Sequence, residues 1–187
     1  MKIVKKLVIF LIVLAVFSCK NKITPSLNII KDGAIGWNAK EPCVIIYSDD
    51  KNTDKLIGKI KSRGGMSSRY YKHSFSLELE KKYSITNFPN NDDWIINANY
   101  IDKTFIRHKI SYDLFREMNS NNIASKSSFV NVSINYKYHG LYVLMEEINA
   151  SMIGLNKMDT MAMLFKDPPI FIKKRKVNFQ DSLNYYQ

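Results

Sequence analysis

The alternation of apolar and polar positions divides this chain into segments of different period. Leu7 to Phe17 is an unbroken apolar run, of a length that suits a signal peptide and is short for a membrane-spanning helix, which takes about 20 such residues; an uncleaved anchor is the alternative reading. Residues 20–40 show no clear period and carry Pro25, Gly33 and Gly36, as a tether and lead-in segment would. From Pro42 the pattern is that of strands. Pro42–Tyr47 is apolar and β-branched, Ser48–Asp54 reads as a polar turn, and Lys55–Lys61 is a weaker strand interrupted by Gly58. Ser74–Glu80 alternates cleanly, with Phe75, Leu77 and Leu79 on one face, and Trp94–Ala98 is a further short run.

The period then changes. Ile106, Ile110, Leu114 and Met118 recur every fourth residue beside Phe105 and Phe115, which predicts a helix over 103–118 whose apolar stripe packs on a core. Asp102 is placed to cap its first turn, and Asn119–Asn122 to end it. Ser128–Tyr136 and Leu141–Ile148 predict two strands joined by a turn at Lys137-Tyr138-His139-Gly140. Met161–Lys166 reads as another short strand, ended by Asp167-Pro168-Pro169. The expected class is α+β: a mainly antiparallel sheet with one helix packed on a face.

The amino terminus changes this picture. Lys2, Lys5 and Lys6 precede the apolar run, and Ser18-Cys19 closes it. This is the layout of a signal peptide over residues 1–18, of the kind cleaved before a cysteine whose thiol takes a diacylglyceryl group. Acyl methylenes each contribute about 0.8 kcal/mol in a bilayer, so more than one chain anchors stably. The expected organisation is a signal peptide (1–18), a tether (19–40) and one domain (41–187). Cys19 is its lipidation site, holding the chain to the outer side of a bacterial membrane in the cell envelope. With Cys19 lipidated, Cys43 has no disulfide partner. Lying in an apolar strand, it reads as an inert core thiol rather than a nucleophile. The net charge is +11, or +8 once the three lysines before residue 19 are set aside. Export turns that positive charge away from nucleic acid and toward phosphate ligands, acidic glycans or membrane surfaces. The run Lys173-Lys174-Arg175-Lys176 reads first as a solvated face.

Three stretches carry candidate chemistry. Arg63-Gly64-Gly65-Met66-Ser67-Ser68-Arg69, followed by Lys72, combines glycines that let a backbone approach closely, two hydroxyls and several cations, the parts of a phosphate-binding loop. Its spacing alone favours a plain hairpin turn. Asn91-Asp92-Asp93-Trp94, leading to Asp102-Lys103-Thr104 and Arg107, offers paired carboxylates, for which turn formation and helix capping are the simpler reading. Gly140 to Ile148 ends an apolar strand on Glu146, placed either in a cleft or facing water. His73, His108 and His139 show no metal-ligand spacing, so no metal site is assigned.

In order along the chain, these stretches resemble the CotH family of atypical, protein-kinase-like enzymes. The matching residues are Arg63–Ser68 with Lys72, Asp92–Trp94, Asp102–Arg107 and Gly140–Glu146. The resemblance covers about Ile57 to Lys166. It implies a kinase-like fold using ATP and magnesium to phosphorylate hydroxyls of other proteins, here proteins of the cell surface. It also implies a nucleotide-binding set of Arg63, Ser67, Ser68, Lys72 and Glu146. Lys72 would be the phosphate-neutralising lysine, with Asp113 or Glu117 as its partner, and Glu146 would line the cleft near a hinge.

Kinase-like enzymes take their catalytic and metal-binding carboxylates from a carboxy-terminal lobe, and the resemblance stops short of one. The expectation is therefore a domain truncated at its carboxy-terminal end and not catalytically competent alone, with no catalytic residue assigned. The alternatives are one half of a kinase completed by a second polypeptide, and a non-enzymatic module for surface binding or adhesion.

Overall fold

A computed structural model describes residues 23–86, 88–149 and 152–155. The signal peptide expected over 1–18, Cys19, the strand expected at Met161–Lys166 and the basic run at Lys173–Lys176 lie outside the described residues. Seven strands form one sheet: β1 (Ser26–Ile30), β2 (Glu41–Ser48), β3 (Thr53–Arg63), β4 (Ser74–Tyr83), β5 (Asn91–Asn97), β6 (Ser127–Ile134) and β7 (Lys137–Glu146). Among the described residues one α-helix, α1 (Arg107–Met118), connects β5 to β6.

The sheet closes into a barrel in the order β1-β2-β3-β4-β5-β7-β6. All neighbours are antiparallel except β1 and β6, whose parallel pairing of Ser26–Ile29 with Asn131–Ile134 shuts the ring. Closure leaves no open sheet edge on which another strand could add. Strand β1 falls inside the segment read as tether. Leu27 and Ile29 are fully buried there, while the polar Ser26 and Asn28 between them hide the pattern. The interior is filled from every strand, by Leu27, Ile29, Ile45, Tyr47, Ile60, Leu77, Trp94, Ile96, Val130, Val132, Tyr142 and Leu144 among others. Each such side chain contributes roughly 1.5–3 kcal/mol on burial.

Two expectations are corrected. The turn between β6 and β7 is Asn135-Tyr136, both left-handed at φ 50° and 64°, and not Lys137–Gly140. Two successive positive-φ residues match the strand twist in a two-residue hairpin, a geometry Asn adopts readily. Lys137–Gly140 belongs to β7, where Gly140 (φ 114°) sits opposite a register shift at Val132/Ser133.

The second correction concerns α1. Its apolar stripe does not pack on the sheet. Ile110 and Leu114 are 53% and 55% exposed, and Ile106, Phe115 and Met118 are exposed with them. The face turned to the barrel carries the half-buried Lys109, Tyr112, Asp113 and Arg116. Lys109 Nζ donates to the Ser127 carbonyl at 3.2 Å, and Arg116 Nη1 donates to the Ser125 carbonyl at 2.7 Å. At the start of β6 the helix therefore meets backbone carbonyls, which are satisfied by cations and not by methyl groups.

Candidate nucleotide-binding site

The loop from Arg63 to Lys72 links β3 to β4 across one mouth of the barrel. It turns at Gly64 (φ 132°), where a Cβ would lie 2.3 Å from Ser67 Oγ, so no larger residue fits without shifting the serine. A single 3₁₀ turn, Met66–Arg69, follows. Ser68 Oγ donates to the Gly65 carbonyl at 2.7 Å, so this hydroxyl braces the loop itself.

The residues flanking the loop share one face of the sheet. Arg63 stands opposite Ser74 and Lys61 opposite Ser76, while Ser76 stands opposite Ile95. Ile95 and Asn97 in turn face Met145 and Val143. These positions alternate with Ile60, Phe75, Ile96 and Leu144 of the core, so they lie on the outside of the barrel. Two cavities open along this face. One, of about 410 Å³, is lined by Trp37, Lys61, Arg63, Gly64, Gly65, Ser76 and Glu147. Arg63 Nη1 is buried and has no hydrogen-bond partner among the described residues. An unpaired buried guanidinium donor is costly.

The other cavity, of about 230 Å³, is lined by Ser67, Tyr70, Lys72, Ser74, Asn97, Asn99, Asp102 and His108. Polar side chains interlock around it. Ser74 Oγ donates to Asn97 Oδ1 at 3.1 Å, Asn97 Nδ2 donates to Asn99 Oδ1 at 2.7 Å, and Asn97 Nδ2 also lies 2.8 Å from His108 Nδ1. Tyr70 stacks on Tyr100 at 5.4 Å between ring centroids. Lys72 Nζ donates to the Leu141 carbonyl and lies 4.0 Å from the Tyr142 ring centroid and 4.7 Å from that of Phe105. Burial lowers its ammonium to a pKa of about 8.

Asp113 is not the partner of Lys72. It pairs with Lys109 at 2.6 Å and with Arg116, and it falls below the ordinary carboxylate range because those hydrogen bonds outweigh the opposing effect of burial. Asp93 is likewise engaged, through Lys40 at 3.3 Å, the lysine that also holds Glu78 at 2.8 Å.

The five residues expected to share a nucleotide thus fall into four places. Ser67 and Lys72 line the smaller cavity, and Ser68 braces the loop between the cavities. Arg63 lines the cavity next to them. Glu146 lies five residues along β7 from the Leu141 carbonyl that holds Lys72, roughly 17 Å away at strand rise. It accepts the Lys126 N–H at 3.0 Å and lines another cavity, of about 570 Å³, with Asp92, Asp93, Arg116 and Glu147. Its neighbour Glu147 is the carboxylate that reaches the Arg63 cavity. The sequence alone marks no site role for Glu147, Lys61 or Asn97, although each lies in or beside a candidate stretch, and it does not single out Trp37. The period-two pattern of β3 and β4 carried the signal for Lys61 and Ser76, since both alternate with core positions.

Among the described residues no three His, Cys, Asp or Glu side chains gather to hold a metal ion, and no helix is long and apolar enough to cross a membrane. A strand-dominated barrel with one outer helix and a glycine-containing cationic loop at its mouth defines the class. The family model described as CotH kinase protein matches residues 60–185, and the chain belongs to that family. No individual curated protein matches the chain.

Proposed function

We propose that this member of the CotH kinase family binds a nucleoside triphosphate, ATP in the first place, on the outer face of β3, β4 and β5. The observation that carries the reading is the buried, unpartnered Arg63 Nη1 beside Gly64 and Gly65. Phosphate oxygens would take up that donor, with Lys61 adding charge and the glycines leaving room for close approach. Lys72 and Ser67 would meet the same phosphates from the neighbouring cavity. When bound, ATP supplies the phosphoryl group, and hydroxyls of cell-envelope proteins are the acceptor class that family membership suggests. Transfer also requires catalytic and metal-binding carboxylates. Among the described residues no three His, Cys, Asp or Glu side chains gather, so no step is assigned through magnesium, and the barrel is read as a nucleotide-binding unit.

The chain is read as a lipoprotein of the bacterial envelope, anchored through Cys19. This rests on Lys2, Lys5, Lys6, the apolar Leu7–Phe17 and Ser18. Incorporation of a radiolabelled fatty acid that disappears in Cys19→Ala is the expected result; equal labelling of both chains would overturn it.

Calorimetric titration of the full chain with ATP tests the binding reading. Arg63→Ala is expected to weaken binding by about tenfold or more, the contribution of a charge-assisted hydrogen bond, and Lys72→Ala to abolish it. Unchanged affinity in both variants would remove the site.

A further inference from the structure

The sequence Asp102–Arg107 leads into α1, but its geometry is not that of a simple cap. Asp102 Oδ1 accepts from Thr104 N at 3.1 Å and Thr104 Oγ1 at 2.6 Å, while Oδ2 accepts from Arg107 N at 2.9 Å. These bonds, that from the Thr104 hydroxyl foremost, hold the Asp102 carboxyl below its ordinary pKa. Within this loop Phe105 is fixed at both ends of its peptide unit. Its N–H donates to the Asp102 carbonyl at 2.9 Å, and its carbonyl accepts from Asn99 Nδ2 at 3.3 Å. The result is a φ of 64°, in a region that bulky side chains enter only when their surroundings force them. The product of that forced conformation is a phenyl ring beside Lys72 Nζ, on an ammonium that also lies over Tyr142.

We infer that Phe105 is a positioning residue for Lys72: the Asp102 turn holds its ring in place, and that ring together with Tyr142 fixes the ammonium at the mouth of the barrel. The inference rests on the reading that the adjoining cavity receives nucleotide phosphates. It assigns the Asp-Lys-Thr-Phe-Ile-Arg stretch to orienting the cation, in addition to starting the helix. The clamp explains why Lys72 holds one place with no carboxylate ion pair among the described residues: two ring faces and the Leu141 carbonyl do what a carboxylate otherwise does. A carboxylate there would neutralise the charge that a phosphate needs. The charged and titratable groups around Lys72 are Tyr142, His73, Lys137 and His139, together with Tyr70, Tyr100, Asp102 and His108 in the cavity wall; the His139 pKa is lowered by burial first and then by Lys137, Lys72 and His73.

Glycine separates the role of the ring from that of the turn, because it adopts φ 64° without strain. Phe105→Gly therefore removes the ring without adding strain at the turn. In the full chain, with the lysine side-chain carbons observed by NMR, Phe105→Gly is expected to move the Lys72 titration up toward the ordinary lysine range by about one pKa unit or more, as water reaches the ammonium. ATP affinity at pH 7 is expected to fall by about tenfold. Phe105→Tyr keeps the ring and restores both values, and Phe105→Leu serves as the second ring-free variant should the glycine chain not fold. A Lys72 titration that does not move in either ring-free variant overturns the inference. Wild-type chain that fails to bind ATP while Lys72 still responds to Phe105 would remove the nucleotide reading and leave the clamp standing.

Discussion

Lys72 Nζ lies 4.0 Å from the centre of the Tyr142 ring and forms no ion pair with a carboxylate among the described residues. Its pKa of about 8 gives any phosphate ligand a definite pH dependence. Below pH 8 the free site already carries the charge. Above it the lysine is neutral, and binding must draw a proton from solvent. ATP affinity is therefore expected to fall as pH rises through about 8, with proton uptake visible as a buffer-dependent heat. Affinity that rises with pH in that window would remove Lys72 from the site.

The same shift has a consequence for stability, of the opposite sense. An amine whose folded pKa is lowered binds fewer protons folded than unfolded between about 8 and its ordinary value of 10.5, so its contribution to stability rises with pH across that window. Lys72→Met removes this rise. Urea midpoints measured at pH 7.5 and 9.5 are expected to differ less in the variant than in the wild-type chain; an equal difference in both would mean that Lys72 is not the titrating group.

Gly58, which interrupts the sequence pattern of β3, has a specific cause in the barrel. A Cβ there would lie 2.4 Å from the Glu78 carbonyl oxygen and 3.3 Å from the Leu79 Cα, both main chain of the paired strand β4. Backbone cannot rotate aside as a side chain can. Gly58→Ala is expected to destabilise the fold by about 3 kcal/mol, at the upper end of overpacking costs. Denaturant unfolding that shows no loss would mean the two strands can separate locally without penalty.

These residues show which features were legible in the sequence. Strands with a clean period of two, such as the Ser74–Glu80 alternation with Phe75, Leu77 and Leu79, were readable because the apolar side chains all turn to the core face. Strand β1 was not, since five residues with two polar members look like a linker until a closing partner is known. The loop residues of the candidate site were readable as chemistry, but their arrangement was not. The separation of Glu146 from Lys72 depends on β7 running from one barrel mouth to the other, and no local spacing encodes that. The helix was readable as a helix, yet its orientation was decided by unsatisfied carbonyls at Ser125 and Ser127 rather than by its own apolar stripe.

That orientation separates α1 from the core in a measurable way. Leu114 is 55% exposed although it sits mid-stripe, whereas Leu77 is fully enclosed in the barrel. Leu77→Ala is expected to lose about 2–5 kcal/mol through the cavity it leaves. Leu114→Ala should change stability by no more than about 0.5 kcal/mol. Equal losses would show that the stripe is covered in solution.

Cys43 closes the question of a thiol nucleophile. It points into the barrel from β2, is 5% exposed, and its pKa is pushed up to about 11 by burial, which outweighs the opposing charge of Lys31. At pH 8 only on the order of one thiol in a thousand would be ionised, and the thiolate is the reacting species. With Cys19→Ala, Cys43 becomes the sole cysteine of the chain, so a thiol reagent reports on it alone. Labelling by Ellman's reagent is expected to follow the opening of the barrel: slow in buffer, accelerating in step with unfolding as urea is added. The two readings separate in native buffer, where a nucleophile must react without unfolding. Rapid stoichiometric labelling there would reopen the catalytic reading of Cys43.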